Sequence, residues 1–537
     1  MERETIFTTW ERAVRRVKKY RTTFIFLIVV ISGIMLLLYR WQITQSPVAL
    51  SAHTNLVPQH NSSPATHLNP VQQENQLPGT TKWQLTRPAS YDTQTSRFQA
   101  IEGYAWTTSV AAGDTISFSV STAQPTYGIQ IYRMGWYGGA GSRLIKTISN
   151  LPGIHQPIPT PDPTTGLIEA KWQSTYTLKT QNTWTSGVYL AQLIAANGSN
   201  NYIIFVVRQD TQAADIVYQI PVTTYQAYNN WGGKSLYGYN STDGIGAYKV
   251  SFDRPYAGDE GAGSFFEGDY TMIRFLESKG YNVTYVTSVD TQTNPNLMKN
   301  RKVFLSNYHD EYWAAPMRDH LINFINQGKH AAFFGANNIY WQIRFENSTS
   351  GVANRVIICY RKASLDPMSQ THPSLTTVRW REAPVNKPEN ALLGLMFESA
   401  MNWPHAADWV VTNANHWIYN GTGLHNGDTI PRLVGYEFDG IYNNGLTPAG
   451  LITLSASPVT DSSNHRFIAN SSIYTASSNA MVFTAGTIFW SWEVDNSNPF
   501  GYPADSRVQL MTSNILDTMI RGSIPNAGMA SEGKRQN

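Results

Sequence analysis

The sequence has a single cysteine, Cys359, in 537 residues. One cysteine excludes an intramolecular disulfide framework and a zinc site built from cysteines. Cys359 lies in the apolar, strand-like run at residues 356–360, which indicates a buried structural thiol rather than a nucleophile. The protein must therefore be stabilised by the size of its hydrophobic core.

Charged residues are also scarce, at 14% of the chain, and the net charge is only +3. Much of the positive charge lies near the N-terminus, so the rest of the chain is close to neutral. No basic field and no alternation of aromatic residues with Lys or Arg runs is present, which excludes a nucleic-acid partner. Aromatic residues are instead abundant, with 16 Trp and 29 Tyr.

Long hydrophobic runs are absent except at residues 23–39, where 17 residues carry no charge. Such a run spans about 25 Å as a helix. Seven basic residues precede it: Arg3, Arg12, Arg15, Arg16, Lys18, Lys19 and Arg21. We therefore expect a cytoplasmic tail at 1–22, a single transmembrane helix at 23–40 in the cell membrane, and an extracytoplasmic body. A cleaved signal peptide is the alternative, but residues 50–52 make a poor cleavage site.

Composition divides the remaining chain into four parts. Residues 41–82 are rich in Ser, Thr, Asn, Gln and Pro, which predicts a flexible stalk. Residues 83–210 contain short alternating runs separated by turn residues, for example at 115–120, 127–132, 188–193 and 202–207, which predicts a β-sandwich domain. Residues 211–522 are predicted to form an α/β domain, from the pattern described next. Residues 523–537 are predicted to be a disordered tail.

Strands and helices alternate after residue 210. We predict strands at 216–222, 283–286, 303–306 and 331–334, with helices at 269–279 and 316–327 between them. Later strands are predicted at 432–438 and 480–484, and a last helix at 506–520. Strand, helix and glycine-closed turn in this order indicate an α/β domain with a mostly parallel sheet.

Polar and aromatic clusters follow three of these strands, at residues 224–233, 307–313 and 335–341, and a fourth lies at 435–439. Parallel strands share a direction, so the first three should reach the same edge of the sheet, where ligands bind. The clusters contain no nucleophile elbow, Walker loop or HExxH helix. Phenols and carboxylates are hard oxygen donors, which suit a high-charge cation such as ferric iron.

The order of a β-sandwich, TYQAYNNWGG, HDEYW, GANNIYWQIRFE and GYEFD resembles the large (β) subunit of N,N-dimethylformamidase and its family, over about residues 85 to 520. The resemblance implies a lectin-like sandwich and an α/β domain similar to the glutamine amidotransferase fold. It also implies hydrolysis of a small amide at a mononuclear iron held by two tyrosines and one glutamate. The characterised enzyme has a small subunit, and no part of this chain resembles it.

The resemblance assigns the glutamate ligand to Glu311, two positions after His309. One tyrosine ligand matches the second tyrosine of TYQAY, Tyr228. The other falls at Tyr189, near the end of the sandwich, with Tyr225 as the alternative. This set would place the iron between the two domains.

Two further residues match polar positions of the family site, Asn337 of GANN and Glu437 of GYE. We expect Glu437 to be the general base that activates water and passes its proton to the leaving amine. His309 and Asn337 orient the substrate and hydrogen-bond the developing oxyanion. A lysine of the family falls near residues 360–362, and its role stays open.

A binding protein is the competing interpretation. Aromatic-rich sandwiches bind sugars by stacking, and Trp136, Tyr137, Trp172 and Trp184 would form such a platform. The chain would then be a surface-displayed carbohydrate- or wall-binding protein with a non-catalytic α/β domain. The sequence does not identify the substrate or the oligomeric state, and it is compatible with a homo-oligomer.

Overall fold

The computed structural model describes residues 67–523. Three predicted segments lie outside the described residues: the cytoplasmic tail at 1–22, the transmembrane helix at 23–40 and residues 524–537 of the C-terminal tail. Within residues 67–523, no helix is both long enough and apolar enough to cross a membrane.

Residues 67–82 belong to the folded body, so the prediction of a flexible stalk is wrong for this part of 41–82. They contain the helix Pro70–Glu74, whose first turn is capped by Asn69. The Glu74 carboxylate is buried and accepts hydrogen bonds from Tyr137 and Arg143, each at 2.6 Å. A composition rich in polar residues does not reveal this, because polar side chains that find buried partners can be ordered as firmly as apolar ones.

Two antiparallel sheets form the N-terminal half, as the alternating runs predict. Their inner faces share one hydrophobic cluster, in which the rings of Phe118 and Phe205 lie 5.4 Å apart. One sheet has three strands, Ile101–Ala105, Thr115–Thr122 and Tyr176–Lys179. The other is joined by a short parallel strand and has the order Ser109–Ala111, Asn200–Arg208, Gly187–Ala195, Thr126–Met134 and Ser142–Pro152. The small hairpin Tyr91–Asp92 and Arg97–Phe98 precedes them.

A seven-stranded mixed sheet forms the centre of the C-terminal half. Five of its strands are parallel, as the alternation of strands and helices in the sequence predicts. Two antiparallel strands extend the sheet. The order is Val283–Thr287, Ile216–Ile220, Val303–Tyr308, His330–Gly335, Met481–Thr484, Arg466–Thr475 and Ile452–Thr460. Its five parallel strands are buried along their whole length, as expected for a sheet covered on both faces.

Helices are few within residues 67–523, where β-sheet predominates. The longer predicted helices are confirmed at Tyr270–Ser278, Ala315–Asn326 and Ser506–Arg521. Shorter ones are Val222–Tyr228, Ser288–Thr293 and Asn390–Leu393, with a π-helical turn at Phe265–Asp269 before Tyr270.

Smaller sheets cover the C-terminal edge of the parallel strands. A four-stranded sheet has the order Lys249–Ser251, Val356–Ile358, Trp341–Glu346 and Tyr312–Ala314. Two pairs complete the set, Met396–Ala400 with Glu437–Gly440 and Ala407–Val410 with Thr429–Val434. The single strand predicted at 432–438 is therefore two strands that belong to different pairs.

Candidate active site

Three of the four motifs leave the large sheet at one edge. The strands that precede them are adjacent and parallel: Ile216–Ile220 pairs with Val303–Tyr308, which pairs with His330–Gly335. Their carboxyl ends therefore meet at the same place, as the sequence predicts. This edge is the candidate active site.

The first part of the first motif is helical. The chain turns at Pro221 and forms the short helix Val222–Tyr228, which carries Tyr228 at its end. The hydroxyl of Thr224 on this helix accepts a hydrogen bond from the backbone amide of Glu311 at 3.0 Å. The helix thus fixes the second motif as well as presenting its own tyrosine.

Asp310 anchors the loop that carries the second motif. Its buried carboxylate accepts hydrogen bonds from Gln219 at 2.7 Å, Ser306 at 2.8 Å and the indole of Trp313 at 2.8 Å. Burial raises the pKa of Asp310 to about 6, although these donors oppose the shift. Because Asp310 is tied to the protein interior, His309 and Glu311 on either side of it are held in fixed positions.

Three tyrosine hydroxyls and one carboxylate converge at this edge. The Glu311 carboxylate accepts hydrogen bonds from Tyr228 at 2.8 Å and from Tyr237 at 3.1 Å. The Tyr237 and Tyr228 hydroxyls are 2.9 Å apart, and the Tyr312 hydroxyl donates to that of Tyr237 at 2.6 Å. We call Tyr228, Tyr237, Tyr312 and Glu311 the phenol–carboxylate cluster.

The electrostatics of the cluster keep its phenols neutral when no cation is present. Burial, and then the charge of Glu311, raise the pKa of Tyr228, Tyr237 and Tyr312 well above the usual value. Burial likewise raises the pKa of Glu311. A cation held by these oxygens would reverse the shift, since opposite charge favours the ionised form of a phenol.

Arg361 closes one side of the cluster. Its guanidinium carbon lies 3.9 Å from the ring centroid of Tyr237, and one of its nitrogens donates to the Tyr312 hydroxyl at 3.0 Å. Sequence comparison alone left residues 360–362 without a role. The structure brings Arg361 to the cluster, where its positive charge faces the ring of Tyr237.

His309, Glu437 and Asn337 form a second group beside the cluster. The Nε2 atom of His309 is 3.1 Å from a Glu437 oxygen and 3.4 Å from a Glu311 oxygen. The Asn337 side chain donates to Glu437 at 3.0 Å, and its backbone amide donates to Asp439 at 2.8 Å. Although Glu437 lies on a strand outside the large sheet, it reaches the same edge.

The charges of this group reinforce one another. Burial lowers the pKa of His309, but the negative charges of Glu437 and Glu311 outweigh it and raise this pKa to about 9. Burial would raise the pKa of Glu437, but the charge of His309 holds it below the usual value. The group is therefore an imidazolium–carboxylate pair with Asn337 orienting the carboxylate.

Tyr189 lies elsewhere, so the structure does not support it as a ligand. Its side chain is fully buried in the core between the two N-terminal sheets, and its hydroxyl donates to the Thr185 carbonyl at 2.7 Å. Side chains alternate along a strand, so Tyr189 shares this face with Ala191, while Val188 packs into the other core. The alternative, Tyr225, donates instead to Asp269.

Tyr237 is the residue that sequence reasoning missed. It lies nine positions after Tyr228, in a loop of Gly, Tyr and Asn residues. Its ring stacks on that of Tyr228 with centroids 4.4 Å apart. Only the fold shows that this loop turns back onto the Val222–Tyr228 helix.

The sugar-stacking platform predicted for the N-terminal half does not form. Tyr137, Trp172 and Trp184 are buried, and the ring of Trp136 is covered by Arg274, whose guanidinium carbon lies 5.0 Å from it. Three of these rings pack the interior, and the half-buried Trp136 is covered by Arg274, so the four do not present a common surface to a ligand. That interpretation of the aromatic residues is wrong.

The donor chemistry of the cluster fits a hard cation. In residues 67–523, no group of three or more His, Cys, Asp and Glu side chains is placed to hold a metal ion. The phenol–carboxylate cluster is of a different kind, because two of its donors would be tyrosines. Oxygens of Tyr228, Tyr237 and Glu311 lie within 2.8–3.1 Å of one another, and an all-oxygen set suits ferric iron rather than a soft metal.

The strand ends of the mixed sheet thus gather buried carboxylates, a histidine and tyrosines at one edge. The chain belongs to the N,N-dimethylformamidase beta subunit-like family: the model of the C-terminal region of that family matches residues 128–502. No curated protein matches the chain.

One solved structure that matches is a Paenibacillus sp. cycloisomaltooligosaccharide glucanotransferase complexed with cycloisomaltoheptaose. It is 7% identical with a TM-score of 0.17, and the match covers 58% of this chain and 62% of that one. The chain thus matches less than two thirds of that protein's length, and so low a TM-score supports no inference about fold or function.

Proposed function

We propose that this protein is an iron-dependent hydrolase of a small amide. The observation that carries the proposal is the position of the phenol–carboxylate cluster directly beside the His309–Glu437 pair, with Glu311 contacting both. Membership of the N,N-dimethylformamidase beta subunit-like family supports an amide as the substrate class. The anchor predicted at residues 23–40 would place this substrate outside the cytoplasm.

Tyr228, Tyr237 and Glu311 are the residues that would hold the iron. When bound, the iron supplies Lewis-acid activation of the amide and of water. Tyr312 and Arg361 support these ligands, because the Tyr312 hydroxyl donates to that of Tyr237 and is itself bound by Arg361. Tyr237 replaces Tyr189 in the set that the family resemblance implies.

The chain's own residues supply the proton transfers. Glu437 accepts the proton of the attacking water and returns it to the leaving amine, so the C–N bond breaks as a carboxylic acid and an amine form. Asn337 fixes the Glu437 carboxylate through its 3.0 Å hydrogen bond. His309, which faces Glu437 and Glu311, orients the substrate carbonyl and hydrogen-bonds its developing negative charge.

Replacing Glu437 with glutamine tests this assignment. We expect Glu437→Gln to lower turnover of formamide-type amides by about 10²–10⁴-fold, because a general base is removed while its shape is kept. Iron content should stay unchanged, since Glu437 is not a proposed ligand. The measurement is amine release by the purified full-length protein, with iron determined on the same sample.

Glu398→Gln is the matched control, because Glu398 lies on the strand that pairs with Glu437 but has no role in the mechanism. It should keep its activity. A Glu437→Gln protein as active as Glu398→Gln would overturn the role of Glu437.

A further inference from the structure

A cavity of about 210 Å³ opens beside the phenol–carboxylate cluster. Most of its wall is aromatic, and four polar side chains complete it. The aromatic residues are Tyr225, Tyr228, Tyr239, Tyr308, Trp403 and Tyr436, and the polar ones are Thr224, Ser264, Glu267 and His309. A group of the substrate that enters this cavity would therefore contact mainly aromatic rings.

Trp403 forms an exposed but firmly held part of this wall. Half of its surface is exposed, at 50%. Its ring makes edge-on contacts with Tyr436, Phe489 and Trp492, at centroid distances of 4.9, 6.0 and 5.8 Å. An indole that is fixed by its neighbours while one face meets solvent is suited to bury that face against a ligand.

Glu267 supplies a carboxyl group to the same cavity. Burial raises its pKa, and a cation in the cavity would favour its ionised form. Glu267 lies in the π-helical turn Phe265–Asp269, and its carboxylate accepts a long hydrogen bond from Tyr308 at 3.4 Å. Asp259 accepts a hydrogen bond from the Phe266 amide of this turn at 2.8 Å but does not line the cavity. Of the described residues that line the cavity, only His309 is basic, and it faces Glu437 and Glu311.

Aromatic walls with one carboxylate favour one class of ligand. A cation over the face of Trp or Tyr is attracted by the ring quadrupole, and methylated ammonium groups are the usual ligands of aromatic cages. A neutral alkyl group would gain from the rings but would desolvate the Glu267 carboxylate without compensation. An anionic group would be repelled by Glu267. The chemistry of the wall thus selects a cation.

We propose that this cavity binds an organic ammonium group carried by the amide substrate, with Trp403 and Tyr436 against the cation and Glu267 as its counter-charge. This inference rests on the proposed amide hydrolase function, because it names the class of amide that the same site takes. The substrate is then a cationic amide, which the enzyme distinguishes from a neutral amide of equal shape.

The binding test compares choline with 3,3-dimethylbutan-1-ol, its neutral isostere, on the full-length protein by isothermal titration calorimetry. We expect choline to bind about tenfold more tightly. Glu267→Gln should bring the two affinities within about threefold of each other, and Trp403→Leu should weaken choline binding about tenfold.

Two variants serve as matched controls. Glu346→Gln removes an exposed carboxylate that pairs with Lys249, and Trp106→Leu removes a half-exposed indole of the N-terminal half. Both should bind choline as the unmodified protein does. Equal affinity for choline and its isostere, or equal losses in Glu267→Gln and Glu346→Gln, would overturn the ammonium site.

The same preference should appear in catalysis. N-(2-trimethylammonioethyl)formamide should be hydrolysed with about tenfold higher kcat/KM than N-(3,3-dimethylbutyl)formamide, and Glu267→Gln should remove the difference. An iron-containing, active protein without this preference would overturn the ammonium site but would still support the proposed hydrolase function. A preparation that binds choline selectively but lacks iron and activity supports the ammonium site and contradicts the proposed function.

Discussion

Glu311→Gln is expected to abolish both the proposed iron binding and the proposed amide hydrolysis. Glu311 contacts both halves of the site: Tyr228 and Tyr237 on one side and His309 on the other. Glutamine keeps the shape but loses the negative charge that a high-charge cation requires. Because Lewis-acid activation contributes several kcal/mol, we expect a loss of about 10³-fold or more in turnover.

The measurement is iron content and amine release on the same preparation of the full-length protein. The control is Glu346→Gln, which removes an exposed carboxylate outside the site and should change neither value. A Glu311→Gln protein that keeps full iron and full activity would disprove the assignment of the metal ligands.

Glu277→Ala is expected to lower the free energy of unfolding by about 3–5 kcal/mol, because it leaves the buried charge of Arg133 without its partner. Arg133 lies on the strand Thr126–Met134 of the N-terminal half, and Glu277 on the helix Tyr270–Ser278 of the C-terminal half. Both side chains are fully buried and meet at 2.7 Å. Glu277 also accepts a hydrogen bond from Tyr285 at 3.1 Å.

Chemical denaturation followed by tryptophan fluorescence measures this loss. Glu346→Ala is the control, since its exposed pair with Lys249 should be worth less than about 1 kcal/mol. Equal destabilisation by the two substitutions would show that the Arg133–Glu277 pair does not hold the two halves together.

Sequence patterns predicted the regular elements of the large sheet well. The helix predicted at 269–279 is Tyr270–Ser278, and the strand predicted at 331–334 is His330–Gly335. These elements are set by local periodicity and by glycine at their ends, both of which are visible in the sequence. The adjacency of the first three motifs followed from the direction of parallel strands.

The site itself could be predicted only in part. Five residues meet as expected: Tyr228, Glu311, His309, Asn337 and Glu437. Each belongs to a motif that either follows a predicted strand or matches a motif of the family. Tyr237 could not be found, since its role depends on a loop that folds back onto Tyr228.

For Tyr189, the alternation of side chains along its strand is a better guide to its location than its approximate position in the order of the family motifs. The alternating pattern of Gly187–Ala195 directs Tyr189 into the N-terminal core together with Ala191 and Leu193. A residue on that face cannot reach the edge of the large sheet, however well its position in the motif order fits. The proposed iron ligands therefore all belong to the C-terminal half.

Iron content and visible absorption of the purified full-length protein test the central claim most directly. The account predicts about one iron per chain and a tyrosinate-to-iron absorption band, because phenolate ligands donate charge to ferric iron. Tyr237→Phe should weaken or shift this band, and Tyr189→Phe should leave it unchanged. A folded protein that is colourless and free of iron would contradict the account.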